Sequence, residues 1–205
     1  MNDLCTKEKI LKTARVLFAD HGFEGTSVRD IAKIAEVNVA SLNYHFSSKE
    51  NLFKEIVTQG FGECAAEMKA YCSAHNPRLE DAIVHLFQYF LGSSHDLVTR
   101  FKILMSVKHS QHFSVGTEDE NFGPPGGKII AEMIAAEAGR PVSQEDMAFA
   151  LGTLYAHITQ VALIHHCLYK NVPMEKYPYR SVEALEKGVR RLTALILADL
   201  NTSKV

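Results

Sequence analysis

The stretch VNVASLNYHF, residues 37–46, decides how this chain is read. Val37, Leu42 and Phe46 form an apolar frame at helical spacing, while Asn38, Ser41, Asn43, Tyr44 and His45 stand between them, all able to hydrogen-bond outward. Asn38 is a good N-cap, because its side-chain oxygen can accept one of the first orphan amides. The pattern therefore predicts a short helix from Asn38 to about Phe46, anchored along one edge and polar over the rest.

The flanking residues extend this into a helical series. Upstream, Thr26 is expected to open a helix with Val28, Ile31, Ala32 and Ala35 facing inward, interrupted by Glu36-Val37-Asn38. Before it, Thr6 can cap a first helix carrying Ile10, Ala14, Leu17 and Phe18 on one side, with Asp20-His21-Gly22 as its stop. Downstream, Ser47 and Glu50 have the spacing of a capping box for a fourth helix, with Leu52, Phe53 and Ile56 in its first turns, running to about Cys72 before a break at 73–77. Further helices are predicted at 78–93, 95–111, 127–138, 143–169 and 181–200, with Ser143 and Asp146 forming another cap. The Gly-, Pro- and acid-rich SVGTEDENFGPPGG, residues 114–127, reads as a loop. Strand-like alternation is absent, so the fold is expected to be all-α. A three-helix DNA-binding domain over 1–50 and a larger helical domain over 51–205 are the expected division.

Two short helices, 27–35 and 38–46, joined by a tight turn and backed by a longer first helix, have the layout of a helix-turn-helix. In such a unit the second helix is buried on one side and enters the major groove with the other, which requires small and hydrogen-bonding side chains pointing out. Val37, Leu42 and Phe46 would hold it to the domain. Val39, Ala40, Ser41, Asn43, Tyr44 and His45 would face DNA.

The stretch TSVRDIAKIAEVNVASLNYHFSSKENLF, residues 26–53, resembles the DNA-binding region of the TetR family of transcriptional regulators, in which I-A-x-x-A-G-V-S-x-G-x-L-Y-x-H-F-x-x-K-x-x-L recurs. Ile31, Ala32, Ala35, Val37, Leu42, His45, Phe46, Lys49 and Leu52 match it in register, with Thr26 ahead of them. The chain departs from the pattern where Glu36 replaces a turn glycine, Ala40 a second glycine, and Asn43 a tyrosine, with Tyr44 one place later. N-V-A-S-L-N-Y-H-F looks like a variant within the family. The resemblance implies a phosphate contact from Thr26, which should also cap its helix, and an ionic one from Lys49. Arg29, Asn38, Tyr44 and His45 would be further backbone contacts, with Val39, Ala40, Ser41 and Asn43 placed to read base edges. Plainer roles stay open: Thr26 and Asn38 as caps only, Tyr44 as packing, His45 as a brace for the fourth helix.

The resemblance further implies that the C-terminal domain binds an effector and dimerises through two late helices, here 143–169 and 181–200. Leu185, Val189, Leu192 and Ile196, with Val182, form a stripe close to heptad spacing, which suits either a dimer interface or the chain's own core. A two-fold dimer would read a palindrome with half-sites about one turn, ~34 Å, or more apart. Phe61, Met68, Phe87, Phe90, Phe101, Met105, Tyr155 and Gln160 are candidates for lining an effector cavity, which would suit an apolar or aromatic small molecule; ordinary core packing is the alternative for each. The expected function is a ligand-responsive, dimeric repressor released from its operator when the effector shifts the fourth helix. Activation remains the other sign such a regulator can have.

Composition sets the bounds. At 205 residues, 46% hydrophobic and 22% charged, with a formal net charge of -2, the chain is an ordinary globular sequence. The first sixty residues carry Lys7, Lys9, Lys12, Arg15, Arg29, Lys33, Lys49 and Lys54 against Asp3, Glu8, Asp20, Glu24, Asp30, Glu36, Glu50 and Glu55, so any DNA surface depends on where charges sit. The N-terminus lacks a signal-peptide apolar core, and no stretch is expected to span a membrane, which together predict a cytoplasmic protein. Cys5, Cys64, Cys72 and Cys167 show no C-x-x-C spacing; the last three are expected to be buried thiols. No cofactor is implied. A competing reading is a metal-responsive sensor or metal-dependent enzyme built on His109 and His112, His165 and His166, with His85, His95 and His157, although no H-E-x-x-H motif is present. A third is a regulator whose partner is another protein.

Overall fold

The computed structural model describes residues 2–105, 124–169 and 180–202. Over these the chain is all-α, with nine helices and no strand: α1 Asn2–His21, α2 Val28–Ile34, α3 Val39–Phe46, α4 Lys49–His75, α5 Leu79–Gly92, α6 Ser94–Met105, α7 Gly127–Ala138, α8 Gln144–Ile164 and α9 Val182–Thr202. A π-helical turn, His165–Tyr169, continues α8. The expected extension of α6 to 111, and the loop from 114 as far as 123, lie outside the described residues.

Local signals were misread at three helix starts. Thr6 lies inside α1, which already begins at Asn2. The N-cap of α2 is Ser27, whose Oγ accepts from the Asp30 amide at 3.1 Å, and not Thr26. At α4, the Ser48 Oγ accepts from the Asn51 amide at 3.1 Å, while Ser47 is the C-cap of α3 with φ 61. The expected caps at Asn38 and Ser143 are in place, accepting from Ser41 N at 2.6 Å and Asp146 N at 3.0 Å.

Two compact units share the chain: residues 2–60 with 96–105, and 61–95 with 124–169 and 180–202. In the first, Ile10, Ala14 and Phe18 of α1, Ile31 of α2, Leu42 and Phe46 of α3, and Leu52, Phe53 and Ile56 of α4 are buried together. Each large apolar side chain so buried contributes about 1.5–3 kcal/mol. Phe18, Phe23 and Phe53 form an aromatic cluster with centroids 5.1–5.7 Å apart, Phe53 meeting the other two edge-on. In α6, the Arg100 guanidinium donates to the Gly60 carbonyl of α4 at 2.9 Å, and a Cβ at Gly60 would meet that guanidinium at 2.9 Å.

In the second unit α5 is the central helix. Leu79, Ile83, Leu86, Phe87 and Phe90 recur at helical spacing and are buried against α7, α8 and α9, where they meet side chains such as Ile130, Ile134, Leu154, Ile158, Val189 and Ile196. Polar ties fix the angles: Arg190 of α9 donates to Asp81 of α5 at 2.6 Å, and Arg140 Nε donates to the Leu200 carbonyl at 2.7 Å. Two expectations need correction. Cys167 is exposed, whereas Cys64 is buried and Cys72 half-buried. The segment Gln144–Tyr169 is, by length and composition, apolar enough to cross a membrane, and 28% of its most apolar window is buried within the chain. Its buried positions, Ala150, Leu154, Tyr155, Ile158 and Ala162, keep to one side, as in a helix packed on a core.

The turn between α2 and α3 carries the departure from the family glycine. Glu36 has φ 56; its amide donates to the Lys33 carbonyl at 3.3 Å and the Val37 amide to the Ala32 carbonyl at 2.9 Å, the paired bonds of a Schellman stop. A side chain in this left-handed conformation costs about 1 kcal/mol. Replacing Glu36 by Gly is therefore expected to stabilise the protein by about that amount, read as a higher midpoint in urea unfolding with an unchanged slope; an unchanged or lower midpoint would contradict the strain.

Candidate nucleic-acid interface

Helix α3 is held by its apolar edge. Leu42 and Phe46 are buried and Val37 is half-buried, and the Lys7 ammonium of α1 sits 5.7 Å from the Phe46 ring. The opposite side is open: Val39 is 38% exposed, Ala40 and Asn43 are exposed, and Tyr44 is 77% exposed with its ring edge-on to His45 at 5.2 Å. Ser41 and His45 are half-buried at the margins of this face, and Arg29 of α2 is exposed. Small side chains at Val39 and Ala40 permit close approach and can contact a thymine methyl, while the Asn43 amide has the donor and acceptor that an adenine edge presents in complement. A phenol as exposed as that of Tyr44 can reach a phosphate.

Thr26 and Lys49, both expected on phosphates, make hydrogen bonds within the protein. Thr26 is 2% exposed, and its hydroxyl is directed at the carbonyls of Gly22, 2.8 Å, and Leu17, 3.1 Å. Lys49 Nζ donates to the carbonyls of Phe23, 2.9 Å, and Thr26, 3.1 Å, and lies 4.2 Å over the Phe23 ring. The corner 23–26 is thus gripped from α1 and from α4. Ser27, which caps α2, was missed, although S-x-x-D at Ser27 and Asp30 is the same signal that located Ser143.

The expected effector residues scatter. Met68, Phe87, Phe90 and Tyr155 are buried in the second unit. Gln160 faces outward from α8, and Phe101 and Met105 are exposed on the part of α6 that belongs to the first unit. Phe61 lines a cleft of about 330 Å³ with Ala65, Lys69, Pro125, Lys128 and Ile129 among its walls. Behind it the Tyr155 hydroxyl donates to the Pro125 carbonyl at 2.6 Å. Burial pushes the Tyr155 phenol far above its ordinary value, and the nearby Cys64 thiol adds to the rise, so Tyr155 is a neutral donor at any physiological pH.

Of the expected dimer stripe, Val189 and Ile196 are buried within the chain, Leu185 and Leu192 are half-buried, and Val182 is exposed. Other exposed apolar residues include Phe149 and Leu168 on α8 and its π-helical turn, and Leu195, 58% exposed, on α9. Periodicity gave the stripe but not which side would be covered. His165 and His166 line a groove with Gln88 and Glu186, but among the described residues no group of three or more His, Cys, Asp or Glu is placed to hold a metal. His109 and His112 lie outside the described residues.

Comparison with known proteins converges on the first unit. Residues 10–56 match the family described as bacterial regulatory proteins, tetR family. The chain is 50% identical over 54 residues to the "Probable HTH-type transcriptional regulator YttP" of Bacillus subtilis (strain 168), covering 26% of each chain. It is 43% identical over 51 residues to the "Biofilm operon icaADBC HTH-type negative transcriptional regulator IcaR" of Staphylococcus aureus (strain Newman), covering 25% of this chain and 27% of that one. The matches thus span about a quarter of the length of these curated relatives. Over nearly the whole chain the fold is similar to a crystal structure from Shewanella sp. PV-4 assigned to the tetR family of transcription regulators, with a TM-score of 0.66, 22% identity, and coverage of 95% of this chain and 97% of that one.

The buried hydroxyl of Thr26 makes a stability prediction that a residue serving only DNA would not. Thr26→Val keeps the shape and removes the one O–H that the Gly22 and Leu17 carbonyls share, and is expected to cost about 1–3 kcal/mol, read by urea unfolding in the absence of DNA. Thr26→Ser should recover most of this. Unchanged stability in Thr26→Val would sink the assignment.

Proposed function

We propose that the chain belongs to the tetR family of bacterial regulatory proteins, whose description matches residues 10–56, and that it is a cytoplasmic transcriptional repressor that binds a palindromic operator as a homodimer and is released by a small, largely apolar effector. The observation that carries the DNA-binding part is α3 itself: a helix buried at Leu42 and Phe46 that turns Val39, Ala40, Asn43 and Tyr44 outward. These four, with Ser41, His45 and Arg29 at the margins, are the contact set, Asn38 serving as cap. The negative sign of regulation is supported by the similarity to IcaR, a negative transcriptional regulator.

The dimer is supported by an apolar surface that the single chain leaves uncovered. On α8, exposed positions Phe149, Gly152, Ala156 and Ile164 recur along one side, with Leu168 in the π-helical turn, and on α9 Leu195 is exposed. Such a patch on a chain that is otherwise evenly charged favours association, and a two-fold pair would present two α3 helices to two half-sites. This surface is the proposed interface, together with Leu185 and Leu192, which the single chain leaves half-buried. For the effector, the cleft beside Phe61 falls within the size range of small-molecule sites, roughly 300–1,000 Å³, and its α4 wall belongs to the helix whose first turns pack in the DNA-binding unit. A ligand there can bias the position of α4 only through a difference in affinity between two arrangements of the protein.

A selection from random duplex DNA, followed by titration at several salt concentrations, tests the reading. A palindrome should be enriched, with affinity falling as salt rises. Tyr44→Ala should weaken binding by about tenfold, the scale of one lost charge-assisted hydrogen bond. Leu195→Asp should yield a folded monomer by sedimentation that binds the palindrome poorly. No enrichment by a folded dimer would count against DNA binding, and an unaltered dimer in Leu195→Asp against the interface.

A further inference from the structure

The first residue of α4 is built into the turn that precedes α2. We propose that Lys49 is a positioning residue for DNA recognition, setting where α2 and α3 stand on the first turn of α4 rather than holding a phosphate itself. The proposal rests on the DNA-binding reading of the chain and assigns a role inside it.

Three features of the corner support it. First, the ammonium directs two of its three N–H bonds at main-chain acceptors, the carbonyls of Phe23 and Thr26, at 2.9 and 3.1 Å. Charge-assisted bonds are directional and stronger than neutral ones, so they fix a placement that apolar contact alone leaves free to slide. Second, the same cation lies 4.2 Å over the face of Phe23, whose edge-on partner at 5.1 Å is Phe53, one turn further along α4. The ring and its carbonyl are therefore held by the same helix. Third, the corner has no slack leading to the reading helix. Thr26 is tied back to Leu17 and Gly22 of the α1 end by its hydroxyl, Ser27 follows at once as the cap of α2, and α2 passes into α3 through the Schellman turn at Glu36.

Lys49 thus joins α4 to a rigid run of chain that ends in α3. It is half-buried, unlike Tyr44, and a phosphate could engage it only through its remaining N–H. Any displacement of the start of α4 would carry the corner, and the two helices after it, along with it. This gives α4 a physical grip on the DNA-reading face that does not depend on its own contact with DNA.

The test uses the full chain and the duplex enriched in the selection above, with Lys49→Met, Lys49→Gln and Lys49→Arg. Two readouts are taken: affinity against salt concentration, and amide hydrogen exchange of the protein without DNA. A positioning role predicts that Lys49→Met weakens binding by about tenfold while the slope of log affinity against log salt stays that of the wild type. Exchange should accelerate in α2 and α3 with α1 still protected. Lys49→Arg should restore both readouts, and Lys49→Gln, which keeps a donor without the charge, should restore protection in part. A slope shallower by about 0.9, the value for one phosphate, with exchange unchanged would instead make Lys49 a phosphate ligand and overturn the proposal. Protection lost evenly through the whole unit, without recovery in Lys49→Arg, would reduce it to general stability and overturn it equally. Should Lys49→Met fail to fold, Lys49→Gln and Lys49→Arg carry the same comparison. Failure of the wild type to bind any duplex would refute the DNA reading, while exchange would still decide whether Lys49 holds α2 and α3.

Discussion

Helices of seven and eight residues do not hold themselves together in water, because too few hydrogen bonds form to offset the cost of nucleation. Everything α3 can do therefore depends on the burial of Ile31, Leu42 and Phe46 against α1 and on what fastens the turns at either end. The fastening is polar and specific. Ser27 and Asn38 cap the two helices, Glu36 accepts a left-handed conformation to close the first, and Thr26 and Lys49 seize the carbonyls of the corner before them. Because the apolar edge of α3 is committed inward, its outward face is free to be small and polar. A recognition surface is possible here only because the work of stability is done on the other side of the helix.

The second unit meets the opposite problem. It has more apolar surface than one chain covers. Central α5 satisfies its neighbours along one side each, but α8 remains apolar on the side turned away from the core, where Phe149 and Leu168 are exposed. One chain by itself offers a short exposed helix and an uncovered patch, and the proposed symmetric pair would cover the patch and double the length of DNA read. The polar ties of this unit, Arg190 to Asp81 and Arg140 to Leu200, lie among α5, α9 and the residues after α7, away from that patch.

The residue exchanges that separate this chain from the family pattern have local explanations. Glu36 keeps the bonding of the stop that a glycine would close with less strain. Asn43 is exposed on α3 where a tyrosine is usual, and Tyr44 one position later is the most exposed large apolar or aromatic residue among those whose burial is described in the unit, so the phenol is presented about 100° further round the helix.

The sequence by itself determined the helical class, the stop after α2, the caps at Asn38 and Ser143, and which edge of α3 is buried, because each depends on residues within about one turn of one another, and such spacing is written in the chain. Only the tertiary structure decided what Thr26 and Lys49 touch. Lys49 reaches carbonyls 23 and 26 residues away, and a lysine drawn to a backbone carbonyl looks in sequence just like one drawn to a phosphate. The same holds for α9, where periodicity announced a stripe through Val189 and Ile196, but whether a stripe meets its own chain or another is settled by what packs beside it, and no local pattern records that.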